Sequence, residues 1–169
     1  KKIEKELTNW QAAFDIEKAA KILGATPLAR PEDIEVHPIT KDVYITLTNN
    51  KPRENYHGSI LKISESNSNH NALAFKAEDY LLGGEEANFS CPDNLVFDKN
   101  GNLWMVSDIS GSSIGKAPYE KFGNNGLYVI PATGQDAGKV LQVGSAPVDA
   151  ELTGLCFSPD YQSLFVSVQ

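Results

Sequence analysis

The chain has 169 residues, with 15 basic and 22 acidic side chains and a formal net charge of −7. Hydrophobic residues make up 41% and charged residues 22% of it, values that are typical of a globular domain and exclude a disordered or fibrous chain. An acidic chain without a run of basic residues is not expected to bind nucleic acid. The sequence contains no apolar stretch long enough to span a membrane, and its two cysteines are too few for a disulfide scaffold.

The first part of the chain is typical of an amphipathic helix. Over residues 9–23, apolar side chains recur at roughly helical spacing, and Gly24 followed by Pro27 would stop a helix. We therefore expect residues 1–30 to form one helix and its lead-in. The side chains expected to pack this helix against the rest of the fold are Trp10, Phe14 and Ile22.

Three later segments share one pattern, in which an apolar pair two residues apart is followed by a short polar turn and a β-rich run. The pattern predicts three hairpins, because alternating apolar residues indicate strands and the turns contain Gly, Pro, Asn and Asp. The first apolar residues of the segments, Ile34, Leu95 and Leu155, are 61 and 60 residues apart. Further strand candidates lie between the hairpins at residues 58–63, 72–82, 126–130 and 139–143.

Four strands that recur at a fixed period are typical of the blades of a β-propeller. A β-sandwich also has many short strands, but it gives no reason for one hairpin pattern to return at this period. We predict a mainly β fold, a propeller fragment of about two and a half four-stranded antiparallel blades over residues 31–169. The blade repeats start near residues 31, 92 and 151. Because a propeller closes with about four to eight blades, we expect the remainder of a parent chain or further copies to complete it.

The direction of the strands predicts where chemistry would occur. In an antiparallel pair, the start of the first strand lies beside the end of the second, so acids and amides at these positions should share one face. A single Asp or Asn there is typical of a turn, but recurrence in three repeats favours a set of oxygen ligands for a hard cation such as Ca²⁺. These residues are Glu32, Asp33, Asp93, Asn94 and Glu151 at strand starts, and Asn49, Asn50, Asp108 and Gln169 at strand ends.

Other polar residues have a weaker claim on function. Asp42, Asp98 and Asp160 lie in the hairpin turns at the opposite face, and we expect them to serve only those turns. His57 is the one histidine placed on the face of the predicted ligands, and Cys91 is expected to be a buried structural thiol. The sequence contains no G-x-S-x-G elbow, phosphate-binding loop or H-E-x-x-H motif.

Three strings in the sequence are jointly specific for one protein family. They are GATPLARPEDIEVHPITKDVYITLTNN at 24–50, CPDNLVFDKNGNLWMVSD at 91–108 and ELTGLCFSPDYQSLFVSVQ at 151–169. Together they resemble the later part of the PhoX-type alkaline phosphatases, bacterial exported proteins with a β-propeller, and the resemblance covers essentially the whole chain. The resemblance implies a location in the periplasm or outside the cell.

The resemblance also implies a chemistry. Proteins of that family hydrolyse phosphate esters at a cluster of calcium and iron ions near the propeller axis, which implies Ca²⁺ with Fe³⁺ as cofactors and a small phosphate ester as substrate. Glu32 of R-P-E-D and Glu151 of E-L-T-G resemble metal-site carboxylates, and Asp93 of P-D-N-L and Asp108 follow them. The family's cysteine ligand lies in a part that precedes Lys1, and no arginine stands beside Glu151 in the sequence. The fragment alone is therefore expected to be inactive.

A noncatalytic propeller is the alternative hypothesis. The acids would then serve turns or at most a structural calcium ion, and the module would bind a ligand or a protein partner. Calcium-dependent hydrolysis of a phosphate ester by the parent protein separates the two hypotheses, because only the first predicts it.

Overall fold

The computed structural model describes residues 8, 13–66, 69 and 71–169. Within these ranges the chain forms the α-helix α1 (Ile16–Leu23), two further helical residues at 13–14, and ten strands in three antiparallel sheets. The strands are β1 (Pro31–Val36), β2 (Val43–Leu47), β3 (Ser59–Glu65), β4 (Phe75–Leu82), β5 (Pro92–Phe97), β6 (Leu103–Ser107), β7 (Gly126–Ile130), β8 (Leu141–Ser145), β9 (Leu152–Phe157) and β10 (Leu164–Val168). No helix in the described ranges is long and apolar enough to cross a membrane.

The three sheets are successive blades of a propeller. Two sheets have four strands in chain order, β1-β2-β3-β4 and β5-β6-β7-β8, and the third consists of β9 and β10. The first strands of the blades, β1, β5 and β9, are neighbours and form the inner edge of the assembly. The predicted mainly β propeller fragment is thus confirmed, and its sheets do not close into a ring.

Each complete blade begins with an irregularity in its inner strand. The pairing of β1 with β2 shifts between Pro31 and Ile34, and that of β5 with β6 shifts between Pro92 and Leu95. A β-bulge of this kind leaves residues unpaired and redirects their side chains. The residues within the two bulges are the acids and amides that the sequence places at the strand starts.

Side chains in the bulges connect one inner strand to the next. Asp33 Oδ2 accepts a hydrogen bond from the backbone N–H of Leu95 at 2.9 Å, and Asn94 Oδ1 accepts one from the N–H of Gly154, also at 2.9 Å. Asp33 and Asn94 occupy equivalent positions in successive blades, and we call them the interblade clasps. Gly154 holds the third equivalent position and has no side chain to continue the series.

Apolar side chains fill the spaces between the blades. Burying one large aliphatic or aromatic side chain stabilises a fold by about 1.5–3 kcal/mol, so these contacts fix the relative positions of the inner strands. The core between the first two blades consists of Tyr44, Ile60, Phe89, Leu95, Phe97, Leu103, Met105, Tyr128 and Ile130. The smaller core between the second and third blades consists of Val106, Ala146 and Leu152.

Asp15 separates helix α1 from two further helical residues, Ala13 and Phe14. Asp15 caps the N-terminus of α1, because the carboxylate accepts a hydrogen bond from the backbone N–H of Lys18 at 3.0 Å. At the other end, Gly24 has φ 73° and stops the helix in the left-handed conformation. The predicted end of the helix is therefore confirmed.

The predicted packing of this helix is wrong for Phe14. This residue precedes the capping residue Asp15 and is 83% exposed. Ala19 is the buried residue of the helix, with Ile22 half-buried. Trp10, the third residue of the prediction, lies outside the described residues.

Candidate functional site

Backbone hydrogen bonds join the start of an inner strand to the end of its partner. The N–H of Asp108 donates to the carbonyl of Cys91 at 2.9 Å, and the N–H of Gln169 donates to the carbonyl of Glu151, also at 2.9 Å. Residues at the two kinds of position therefore lie side by side, as the strand direction predicts. We call the surface formed by these strand starts and strand ends the site face.

Four carboxylates of the site face influence one another. Burial raises the pKa of Asp93 to about 6, and four neighbouring carboxylates contribute to the shift. Those neighbours are Asp108, Glu32, Glu151 and, with the smallest effect, Asp33. Burial, with the negative charges of Asp108 and Glu32, also raises the pKa of Glu151. The structure thus brings the four sequence-predicted ligands into one electrostatic cluster.

The donor set of this cluster suits a hard cation. Carboxylate oxygens are preferred ligands of Ca²⁺, and a bound cation would relieve the repulsion that raises the pKa values of these groups. Across the described residues, no three Asp, Glu, His or Cys side chains converge closely enough to hold an ion by themselves. The donor chemistry fits a calcium site that further ligands would complete.

Arg30 is the residue of the site face that sequence reasoning missed. Its guanidinium lies 3.1 Å from Glu32 Oε1. Burial raises the pKa of Asp108, and the positive charge of Arg30 opposes that shift. No arginine stands beside Glu151 in the sequence. Arg30 reaches the cluster from the first blade instead. The available signal was its place in the R-P-E-D motif, at the start of an inner strand.

Arg30 and Cys91 share an unusual backbone conformation at equivalent positions of successive blades. Each precedes a proline at the start of an inner strand, and their φ angles are 49° and 51°. A left-handed backbone costs a non-glycine residue about 1–3 kcal/mol and is concentrated at functional sites. The same left-handed conformation recurs in two blades, which indicates that the positions of residues on the site face constrain the backbone there.

Three adjoining cavities cross the site face. An acidic cavity of about 320 Å³ is lined by Asp108, Asp149 and Glu151, and a basic cavity of about 420 Å³ is lined by Arg30 and Lys51. A connecting cavity of about 40 Å³ shares Arg30 and Lys51 with the basic cavity and Asp108 with the acidic one. The site face therefore has an acidic end and a basic end.

Comparisons with known proteins assign this architecture to a family. Residues 4–169 match the model of the family described as alkaline phosphatase PhoX. The chain belongs to this family. The solved structure titled "Pseudomonas fluorescens PhoX in complex with vanadate, a transition state analogue" is 31% identical and matches over 94% of this chain with a TM-score of 0.82. The PhoX-family chain described here spans 32% of the length of that protein. No curated protein sequence matches this chain.

In this PhoX-family chain, Cys91 and His57 have packing roles. Cys91 is 2% exposed, and burial raises the pKa of its thiol, which is the expected behaviour of a structural cysteine. His57 Nδ1 lies 2.9 Å from Ser90 Oγ, and its ring packs edge-on against Tyr119 with 5.7 Å between the centroids. Both residues thereby hold the loop that leads into β5.

Proposed function

We propose that the protein containing this chain is a metal-dependent phosphatase and that the site face contributes to its catalytic centre. The observation that carries the proposal is the cluster of carboxylates beside Arg30, in a chain of the PhoX family. The matched protein of Pseudomonas fluorescens was solved with vanadate, an analogue of the transition state. Pentavalent vanadium mimics phosphorus under nucleophilic attack, which supports phosphoryl transfer as the reaction.

Four carboxylates of the site face would contribute ligands to the metal centre. They are Glu32, Asp93, Asp108 and Glu151, and we propose Ca²⁺ together with Fe³⁺ as the cofactors. Cations bound there would neutralise the nonbridging oxygens of a phosphate ester and the charge that develops during attack on phosphorus. An acidic surface holds a phosphate anion only when bound cations reverse its local charge. Metal dependence therefore follows from the carboxylates themselves.

Arg30 supplies a permanent positive charge beside these carboxylates. A guanidinium offers paired N–H donors that match two phosphate oxygens. The contact of 3.1 Å between Arg30 and Glu32 orients the guanidinium within the site face. Arg30 would bind the phosphoryl group of the substrate and stabilise the charge of the transition state.

The test is the hydrolysis of p-nitrophenyl phosphate by the full-length protein. We expect turnover that a chelator abolishes and added Ca²⁺ restores. In the Glu32→Gln variant the rate should fall by at least about 100-fold, whereas Asp160→Asn, at the opposite face, should keep the wild-type rate. A full-length protein that hydrolyses no phosphate ester under any metal condition would overturn the proposal in favour of a noncatalytic, ligand-binding propeller.

Two further parts of the proposal concern the chain alone and its location. The isolated chain is expected to show no turnover in the same assay, because the described carboxylates do not form a closed metal site by themselves. We also propose a periplasmic or extracellular location, which family membership supports. Fractionation of the native host, with the protein detected by antibody, tests this location.

A further inference from the structure

We propose that Asn125 is a positioning residue of the candidate metal centre, which fixes the carboxylates of Asp108 and Glu151 relative to each other. The inference rests on the proposed phosphatase function and concerns the acidic cavity, which both carboxylates line. Asn125 also lines this cavity, directly precedes β7 and is 1% exposed. Its role follows from the groups that its side-chain amide contacts.

The amide of Asn125 is hydrogen-bonded to the backbone next to both carboxylates. Its Oδ1 accepts a hydrogen bond from the N–H of Ile109 at 2.6 Å, and its Nδ2 donates one to the carbonyl of Ile109 at 3.1 Å. Nδ2 also donates to the carbonyl of Ala150 at 3.2 Å. Ile109 directly follows Asp108, and Ala150 directly precedes Glu151. One planar amide therefore joins the segment after β6 to the segment before β9, in two different blades.

Protein groups occupy all four hydrogen-bonding positions of the Asn125 amide. Its oxygen has two lone pairs, which accept hydrogen bonds from the N–H of Ile109 and from Ser107 Oγ, the latter at 3.4 Å. Its two N–H groups donate to the carbonyls of Ile109 and Ala150. Asn125 thus acts on a bound ion through the neighbouring carboxylates and is not itself a ligand.

The first blade shows that a blade of this fold forms without such an amide. Thr48 and Asp108 hold equivalent positions, because the N–H of each donates to the carbonyl of the residue before the proline of the inner strand. Gly58 and Asn125 are equivalent as the residues directly before β3 and β7. The first blade has neither the acid nor the amide at these positions, and the second has both. The amide therefore accompanies the carboxylate and not the sheet.

The link between the blades matters because the two carboxylates repel each other. Without it, the negative charges of Asp108 and Glu151 favour separation of their backbone segments, and the carboxylates would have to be brought together again when an ion binds. Replacing a residue that holds metal ligands through hydrogen bonds typically lowers metal affinity by about 10- to 100-fold. Asn125→Ala removes all three hydrogen bonds to Ile109 and Ala150 at once.

Calorimetric titration of the metal-free, full-length protein with Ca²⁺ and with Mg²⁺ tests the inference. We expect calcium affinity to fall by at least about tenfold in Asn125→Ala. The preference for Ca²⁺ over Mg²⁺ should also decrease, because selection by ion size depends on the rigidity of the ligand set. Asn125→Ser, which leaves a small polar side chain at this position, should show both changes and replaces the alanine variant if that variant does not fold.

Asn102→Ala is the matched control. The amide of Asn102 also joins two segments of the second blade, because its Oδ1 accepts a hydrogen bond from the N–H of Ala132 at 2.9 Å and its Nδ2 donates one to Asp98 at 2.8 Å. Asn102 lies in the hairpin turn between β5 and β6, opposite the site face. Its replacement should lower the free energy of unfolding, measured by urea denaturation, and leave both metal affinities at the wild-type values.

The outcomes separate this inference from the proposed function. Wild-type calcium affinity in a folded Asn125 variant, or an equal loss of affinity in Asn102→Ala, would overturn the inference and leave the proposed function standing. A wild-type protein that binds no calcium ion would instead overturn the proposed metal centre.

Discussion

Aspartates lie at both ends of the inner hairpins, but their electrostatic surroundings shift the pKa in opposite directions. At the turn end, burial of Asp42 acts to raise its pKa, but hydrogen bonds from neighbouring side chains, chiefly Ser64, hold that pKa below its usual value. At the site end, burial and neighbouring carboxylates raise the pKa of Asp93 to about 6. An aspartate surrounded by donors stabilises the fold, whereas one surrounded by carboxylates opposes it and is suited to a cationic ligand.

The other hairpin turns repeat the first situation. Asp160 accepts a hydrogen bond from Ser158 Oγ at 2.6 Å, and this bond lowers its pKa. Asp98 accepts hydrogen bonds from the backbone N–H of Asn102 at 3.0 Å and from its side-chain amide at 2.8 Å. Turn geometry supplies these donors locally, so the acids at this end need no cation.

The largest expected difference between the two ends concerns cation binding. Replacing Glu151 by Gln in the full-length protein removes one negative charge from the carboxylate cluster, and we expect calcium affinity, measured by calorimetry, to fall by at least about 100-fold. The matched substitution Asp160→Asn at the turn end should leave this affinity at the wild-type value. If Glu151→Gln also retained it, the two ends would not differ in function.

A second prediction concerns Asp33, an acid of the site face whose carboxylate accepts hydrogen bonds from neighbouring groups. Its carboxylate accepts the hydrogen bond from the N–H of Leu95, so it should behave like the acids of the turns. We expect Asp33→Ala to lower the free energy of unfolding by about 2 kcal/mol, measured by urea denaturation. Asp33→Asn should lose less, because the amide oxygen can still accept this bond. Equal losses in the two variants would show that the hydrogen bond does not account for the effect.

A third prediction applies one substitution at both ends. In metal-free protein at pH 8, Asp93→Asn should raise the free energy of unfolding by about 1 kcal/mol, after allowance for solvent screening. Asp42→Asn should lower it. The folded pKa of Asp93 is about 6, above the ordinary 3.8, so its carboxyl stabilises the fold most below pH 3.8, and that stability is lost as pH rises through 6. Asp42 contributes stability above pH 3.8 that disappears as pH falls through its lowered folded pKa.

Denaturation curves between pH 3 and pH 8 measure both effects. The difference between Asp93→Asn and wild type should disappear on acidification, because the wild-type carboxyl is then neutral as well. Changes of the same sign for the two variants would contradict the contrast between the ends.

The smallest expected effect concerns the histidines, for which the two ends should agree. Burial lowers the pKa of both His57, on the site face, and His37, in a hairpin turn, from 6.5. Because folding favours the neutral imidazole, stability should fall slightly as pH drops from 6.5 through the lowered folded pKa. Replacing either residue by Gln should flatten the stability profile in this window. If only one of the two substitutions flattened the stability profile, the two ends would differ for groups other than carboxylates.

Local chain geometry made the hairpins and the shared face predictable. Alternating apolar residues and turn residues determine a hairpin within some 20 residues of sequence, and antiparallel pairing then places the start of one strand beside the end of the next. In the second of these hairpins, Leu95 pairs with Met105. The positions of Asp108 beside Cys91 and of Gln169 beside Glu151 follow from the same rule.

Features that depend on tertiary contacts were not predictable in this way. A bulge separates the roles of the adjacent residues Glu32 and Asp33, and strict alternation of side chains gives no sign of it. Arg30 acts on a carboxylate of another blade, so its role depends on packing between blades. The break at Asp15 was not predicted, because the apolar period runs through this residue, whereas its side chain caps α1.

The interblade clasps would influence ion selectivity at the proposed metal site. Asp33 and Asn94 directly follow Glu32 and Asp93 in the chain, so the bonds that set the distance between blades also set the distance between successive carboxylates. Ca²⁺ and Mg²⁺ differ by only about 0.3 Å in their preferred distance to oxygen. With Glu32 and Asp93 as metal ligands, residues that bind no ion would thus determine the size of the ion that their neighbours accept.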